Sequence, residues 1–145
     1  MSPRASWPAG LVLSLVMTAT GSVLAARIAV QPTATTTDLA LDGAPTLRIV
    51  KIAELTIAAT GARGCSVWIS NGSLVRAGGS PISFQVLVVE RGAPAPSATT
   101  FAPGGYRFAI ADRTRTVDVY IKYQPSIYQT PGSYTASDAI DAVDN

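Results

Sequence analysis

Apolar and polar residues alternate with a period of two along much of the chain, which is the pattern of strands with one buried face. The clearest example lies at residues 116–123, where one face is apolar and the other polar. The two faces are Val117, Val119, Ile121 and Tyr123 against Asp118, Tyr120 and Lys122. We expect the first face to pack in a core and the second to contact water.

The same alternation, interrupted by glycine and proline, predicts further strands at residues 47–58, 65–70, 82–90, 106–111 and 133–143. In the first of these, one face is expected to carry Leu47, Ile49, Ala53, Leu55 and Ile57. The dipeptide Asn71-Gly72 suits a tight hairpin turn, so a return strand is expected from Leu74. Strand 82–90 contains Leu87, Val88 and Val89 in succession, which is typical of a central strand covered on both faces. The proline-rich stretch that follows, to residue 105, is expected to be a surface loop.

About seven short strands, separated by turn signals every 8 to 12 residues or so and without helical periodicity, predict an all-β fold. The expected architecture is an immunoglobulin-like β-sandwich. Its domain occupies residues 47–145, after an N-terminal extension at 27–46 and a leader at 1–26.

The leader has the three parts of a cleaved signal peptide. Arg4 supplies the positive charge, residues 9–19 the apolar stretch, and Val23-Leu24-Ala25 the small-residue cleavage site, with cleavage after Ala25 or Ala26. The apolar stretch is shorter than the roughly 20 residues that a spanning helix needs. We therefore expect a secreted protein of the periplasm or cell surface, with no membrane insertion after signal cleavage.

Composition excludes several kinds of chemistry. The 145-residue chain has no histidine and one cysteine, so it lacks a Ser-His-Asp triad, an imidazole ligand and a thiolate zinc site. Its net charge of +2 is too balanced for nucleic-acid binding. We expect no catalytic residue, no metal site, no cofactor and no nucleic-acid partner. Cys65, beside Val67 and Trp68, is expected to be a buried core residue.

Aromatic residues leave a binding function open. Most of them fall at positions expected in the core, namely Trp68, Phe84, Phe108 and Tyr123. Tyr120 lies on a polar strand face and Tyr128 in a loop, where exposed rings could stack on sugars. These two residues are the candidate ligand aromatics of a monomeric binding or adhesion module that recognises a glycan or a protein.

The C-terminal part of the chain carries a family resemblance. The run Val119-Tyr120-Ile121-Lys122-Tyr123 is followed by Thr130-Pro131-Gly132-Ser133-Tyr134-Thr135 and a last alternating strand. This arrangement resembles the end of spore coat U-like proteins and archaic chaperone-usher pilins. The resemblance covers residues 106–145.

The resemblance implies a pilin-like sandwich that lacks one strand and polymerises when the extension of one subunit fills the groove of the next. Here the extension would be residues 27–44, and its inserting side chains would be Ile28, Val30, Leu39 and Leu41. The implied protein is a non-enzymatic structural subunit of a surface filament, pilus or coat. Its implied partners are further copies of itself and a periplasmic chaperone.

Overall fold

A computed structural model describes residues 15–19, 26–32, 45–60, 63–111, 113–129 and 134–144. Within these ranges the chain is all-β, and no helix is long and apolar enough to cross a membrane. A 3₁₀ turn lies at Ala98–Thr100. The described strands are β1 (Leu15–Ala19), β2 (Ala26–Pro32), β3 (Arg48–Ala59), β4 (Cys65–Ile69), β5 (Gly72–Val75), β6 (Ile82–Glu90), β7 (Tyr106–Ile110), β8 (Thr114–Tyr123) and β9 (Thr135–Asp144).

The strands form two layers that are joined where β5 meets β9. The first sheet has the order β2-β3-β8-β6-β5, and the second has the order β1-β9-β4-β7. All pairings are antiparallel except that of β1 with β9. Neighbours such as β3 and β8 are far apart in sequence, so the chain crosses between the sheets repeatedly. The β-sandwich character expected from the sequence is thus present.

The inner faces of the two sheets meet in one apolar core. Strands β3, β6 and β8 contribute residues such as Leu55, Val86 and Val119, while β4 and β9 contribute Val67 and Ile140. Each of these side chains is essentially inaccessible to water. Burying the apolar face of every strand in this way is the main stabilising term of the fold.

A bulge in β3 changes which of its side chains face the core. The pairing of β3 with β8 shifts between Lys51 and Ala53, so the alternation before the shift is offset from that after it. Ile52 and Ala53 are therefore both buried, whereas Ile49 packs on the opposite, outer face of the sheet. The sequence placed Leu47 and Ile49 on the same face as Ala53; this prediction is wrong because it assumed unbroken alternation.

The hairpin predicted at Asn71-Gly72 is also wrong. Strands β4 and β5 do not pair with each other; both pair antiparallel with β9, along one of its edges. A tight hairpin turn needs positive φ at its central residues. The five described glycines with positive φ are at other positions, namely Gly64, Gly78, Gly92, Gly104 and Gly105. Residues 70–71 instead carry the chain from the second sheet to the first.

The central position predicted for strand 82–90 is confirmed. Strand β6 lies between β5 and β8, and both Leu87 and Val88 are buried although they point to opposite faces. Val88 faces the core between the sheets. Leu87 belongs to a second apolar cluster on the outer face, together with Phe101 and Tyr120.

We predict that Gly64→Ala destabilises the fold far more than Gly78→Ala. Both glycines have φ near +75°, which costs any L-residue about 1–2 kcal/mol. A Cβ at position 64 would also collide with the backbone of Ile110 and Ala111, whereas a Cβ at position 78 would meet open space. Urea unfolding should show a loss of at least about 3 kcal/mol for Gly64→Ala and about 1 kcal/mol for Gly78→Ala. Equal losses would contradict the close approach of the chain at Gly64.

Candidate functional site

The outer edge of β9 is paired with a strand from the start of the chain. The register runs in parallel from Leu15 opposite Ala136 to Ala19 opposite Ile140. Ala136 and Ile140 also pair with Leu74 and Ile69 on the other edge of β9. Strand β1 therefore covers the edge that faces away from β4 and β5. We call the five-residue stretch 136–140 the β9 edge.

The residues that cover the β9 edge belong to the segment expected to be removed on export. Leu15–Ala19 lies inside the apolar part of the predicted signal peptide. Every other strand that the structure describes comes from the part of the chain that would follow the cleavage site. Cleavage after Ala25 or Ala26 would therefore leave the sandwich complete but for the strand on the β9 edge.

The extension residues named from the sequence divide into two groups. Ile28 and Val30 lie in β2, which pairs with β3 of the same chain across seven residues. Ile28 is half-buried against the core. Strand β2 is thus part of the first sheet, at its edge. Leu39 and Leu41 lie outside the described residues.

Tyr120 is not the exposed ring that the sequence predicted. Only 9% of its surface is accessible, because it packs with Leu87 and Phe101 under the loop of residues 91–105. We call this segment the outer loop. It is held on the first sheet by Lys122, whose Nζ donates to the carbonyl of Ala98 at 2.9 Å and lies 5.3 Å from the centre of the Phe101 ring. The prediction failed because a distant loop covers a strand face that alternation alone marks as solvated.

Tyr128 does lie where the sequence placed it. Its side chain is 87% exposed, in the connection between β8 and β9. The neighbouring Ile127 is 58% exposed, so the two form a small apolar protrusion. Tyr128 and Tyr120 therefore do not form one platform, since one is on the surface and the other is buried.

A charged cluster on the outer face of the first sheet contains the buried carboxylate Asp118. The Nζ of Lys51 lies 2.9 Å from Asp118 Oδ1 and 2.9 Å from Glu54 Oε1. The amide of Gly92, in the outer loop, donates to Asp118 Oδ2 at 3.0 Å. Asp118 is only 1% exposed, although the sequence placed it on a solvated face. The register explains the cluster, because Glu54 and Asp118 are cross-strand partners.

These contacts set the protonation of the cluster. Burial raises the pKa of Asp118, but the hydrogen bonds from Lys51 and Gly92 outweigh burial, and the net pKa is below its usual 3.8. The pKa of Lys51 is raised, first by its hydrogen bond to Asp118 and then by that to Glu54. A general acid needs a carboxyl whose pKa is raised. Asp118 has the opposite shift. The hydrogen bond from Gly92 to Asp118 fixes the outer loop to the sheet.

Asn71 has a structural role. Its Oδ1 accepts from the amide of Val86 at 2.8 Å, and its Nδ2 donates to the carbonyl of Ala102 at 3.4 Å. The side chain thereby ties β6 and the outer loop to the start of β5. Asn71 also borders an open cleft of about 550 Å³, in which Lys122 is the one charged residue among the described lining residues. The described lining contains no carboxylate, histidine or thiol side chain.

Cys65 is a core residue, as predicted: it is fully buried at the start of β4. Trp68, which the sequence assigned to the core, instead lies on the outer face of the second sheet and is 36% exposed. Alternation in β4 turns Cys65, Val67 and Ile69 inward and therefore Trp68 outward. Among the described residues, no group of histidine, cysteine, aspartate or glutamate side chains could hold a metal ion.

Comparisons with known proteins add no relative. The chain matches no protein-family model, and the searches of curated proteins and of solved structures found no similar protein.

We predict that Lys51→Met destabilises the protein by about 3 kcal/mol at neutral pH, because it leaves Asp118 buried without its cation. The double variant Lys51→Met with Asp118→Asn should recover more than half of this loss, since an amide can still accept from Gly92. The measurement is the free energy of unfolding by urea.

The pH dependence of this loss provides a check. In the wild type, the stability due to Asp118 is present above pH 3.8 and disappears as the pH falls through the lower folded pKa. Without Lys51, burial raises the pKa of Asp118, and the carboxyl then protonates earlier. The gap between wild type and Lys51→Met should therefore begin to shrink above pH 3.8, where the variant takes up a proton at Asp118, and should continue to shrink as the pH falls further. A gap that stays constant from pH 7 to pH 3 would contradict the ion pair.

Proposed function

We propose that this chain is an exported structural subunit that assembles by β-strand addition, in the manner of the pilin-like proteins whose C-terminal sequence it resembles. The observation that carries the proposal is the pairing of the β9 edge with residues of the predicted leader. Removing those residues would leave five consecutive residues of β9 without a paired strand on this edge. The β9 edge is then the acceptor site of the proposed assembly.

An uncovered edge has a strong tendency to bind another strand. Its amide and carbonyl groups form a ready template for a chain that adds to the sheet. At the β9 edge a new strand would also lie beside the core, because Ile140 at the end of this edge is a core residue. Strand addition would therefore combine backbone pairing with apolar burial, which gives both affinity and register.

The donor in this proposal is the N-terminal extension of a second copy. Strand β2 is already used within its own sheet, so the part of the extension left for donation is residues 33–44. This part contains Leu39 and Leu41, whose spacing places both side chains on one face of an extended strand. Such a strand can direct both leucines into the partner's core while polar neighbours remain outside.

We predict that Leu39→Asp with Leu41→Asp abolishes assembly and leaves a folded monomer. Two carboxylates cannot enter an apolar groove without a large desolvation cost. The chain would be produced in an exporting host, sized by light-scattering chromatography and viewed by electron microscopy. The wild type should give filaments and an SDS-resistant ladder that boiling removes; the variant should give neither, with an unchanged circular dichroism spectrum.

The matched control is Ala34→Asp with Thr36→Asp, which adds the same charges at the same spacing in the same segment but on the opposite face of an extended strand. It should assemble like the wild type. Adding a synthetic peptide of residues 33–44 during export should reduce filament length. Unchanged filaments in the leucine variant, or a wild-type chain that is monomeric at every concentration, would overturn the proposal.

A monomeric binding module is the second candidate function. It is favoured by one observation, the 87% exposure of Tyr128 on a loop beside the exposed Ile127. An exposed ring of this kind can stack on a sugar or insert into a protein surface. Under this alternative, the chain remains monomeric and recognises its ligand through the β8–β9 loop.

This alternative predicts that Tyr128→Ala removes binding to a glycan array, whereas Tyr128→Trp retains it. A single stacked ring is worth about 1 kcal/mol or more, so the affinity should fall at least about fivefold. No binding by the wild type to any glycan, or equal binding by Tyr128→Ala, would exclude the ring as the recognition element.

A further inference from the structure

We propose that the outer face of the second sheet is a self-association surface on which two copies of the chain stack face to face. This surface is distinct from the β9 edge, and the inference does not depend on the proposed function. The surface is formed by three adjacent strands, and we call it the Trp68 face. Its residues are Ser66 and Trp68 of β4, Arg107 and Ala109 of β7, and Asp141 and Val143 of β9.

Alternation directs these side chains away from the core. They alternate with the inward residues Cys65, Val67 and Ile69 of β4 and Ile110 of β7, each of which is fully buried. Trp68 is 36% exposed and Val143 64% exposed, and Arg107 and Ala109 are exposed as well. The outer loop covers the corresponding face of the first sheet but leaves the Trp68 face accessible.

The pairing register arranges the face in two rows. In one row Trp68 pairs with Arg107 on one side and with Asp141 on the other. In the next row Ser66 pairs with Ala109 on one side and with Val143 on the other. One flank of β4 therefore carries a positive charge and a small side chain, while the other flank carries a negative charge and a large one.

This arrangement is self-complementary. A two-fold axis that lies between two stacked sheets and runs along β4 exchanges the flanks, so Arg107 of one copy faces Asp141 of the other. The same rotation places Ala109 opposite Val143, a small residue against a large one. Trp68 meets its own equivalent at the axis. Each charge pair forms twice, and the two aromatic rings provide the apolar centre of the contact.

Trp68 is held in place before association. Its Nε1 donates to the carbonyl of Gly104 at 3.2 Å, across the end of the outer loop. A Cβ at Gly105 would crowd this nitrogen and the backbone of Ile69, so the loop and the ring fit closely. An anchored aromatic ring loses little conformational entropy on binding, which favours its use at an interface.

The size of the face implies weak association. Three strands spaced about 4.8 Å apart give a strip roughly 15 Å wide. A strip of this width presents a smaller area than a standard interface, which buries about 800 Å² on each partner. We therefore expect the dimer of separate chains to have a dissociation constant in the high micromolar range. Where many copies are joined in a polymer, repeated weak contacts would align neighbouring polymers side by side.

The test is a charge exchange across the proposed two-fold axis. Arg107→Glu alone and Asp141→Arg alone each place like charges together twice, and each should weaken dimerisation at least about tenfold. The double variant restores both pairs and should return to within about threefold of the wild type. Arg113→Glu, which makes the same charge change outside the face, should have no effect. Sedimentation equilibrium up to about 1 mM protein measures all four variants and the wild type.

Strand addition and face-to-face dimerisation can be measured separately, because a variant that cannot add strands can still dimerise. If the wild-type chain polymerises, the same charge changes are introduced into Leu39→Asp with Leu41→Asp, whose Trp68 face is unaltered. A failure of strand addition would then leave the dimer measurement intact, and the reverse also holds. A wild-type chain without dimers up to about 1 mM, or a double variant no better than the single ones, would overturn the proposal.

Cross-linking locates the axis without changing any charge. Ser66→Cys lies on β4 and should be joined to its equivalent by a bifunctional maleimide that spans about 10 Å, the separation of stacked sheets. Ala109→Cys should not cross-link to itself but should cross-link to Val143→Cys in a mixture. Cys65 is fully buried and will not compete. Cross-linking of Ala109→Cys to itself, or a ligand such as a glycan that protects Trp68 in a monomer, would contradict the proposed packing.

Discussion

The pairing of β9 is the constraint on which the rest of the structure depends. Backbone amides and carbonyls in a sheet must find partners, and β9 satisfies them with three different strands. Its pairing with both β4 and β5 joins the two sheets, so the two apolar faces are held against each other. Its remaining edge is paired with residues 15–19. Removal of that segment would therefore leave this edge of the sandwich unpaired.

The outer faces of the two sheets differ in how much of each is covered by other parts of the chain. On the first sheet the outer loop buries Leu87, Phe101 and Tyr120 and is fixed by Asp118 and Lys122. The part of this face beneath the outer loop is therefore internal to the molecule. The face of the second sheet keeps Trp68 and Val143 accessible, with opposite charges on the two flanks of β4. In the part of the chain that the structure describes, the Trp68 face and the Tyr128 loop are consequently accessible for contacts with other molecules.

The sequence was most reliable where a strand has unbroken alternation and both of its neighbours are strands. The inward face of β8 was predicted correctly for this reason. The central position of β6 was predicted from consecutive apolar residues, and the burial of Cys65 from its apolar neighbours. It failed at Ile49 and Leu47 because a single-residue bulge reverses the alternation. It failed at Asn71-Gly72 because a hairpin and a crossing between sheets have similar local sequences but different long-range partners.

The sequence by itself determined the all-β class, the extents of most strands and the inward faces, because these follow from local spacing of apolar side chains. Only the tertiary structure decided which polar faces stay solvated. Asp118 and Tyr120 are buried because a loop from elsewhere in the chain packs over them. Trp68 is exposed because no described segment packs over the outer face of the second sheet. Alternation specifies two faces of a strand, but contacts between distant segments determine what covers each face.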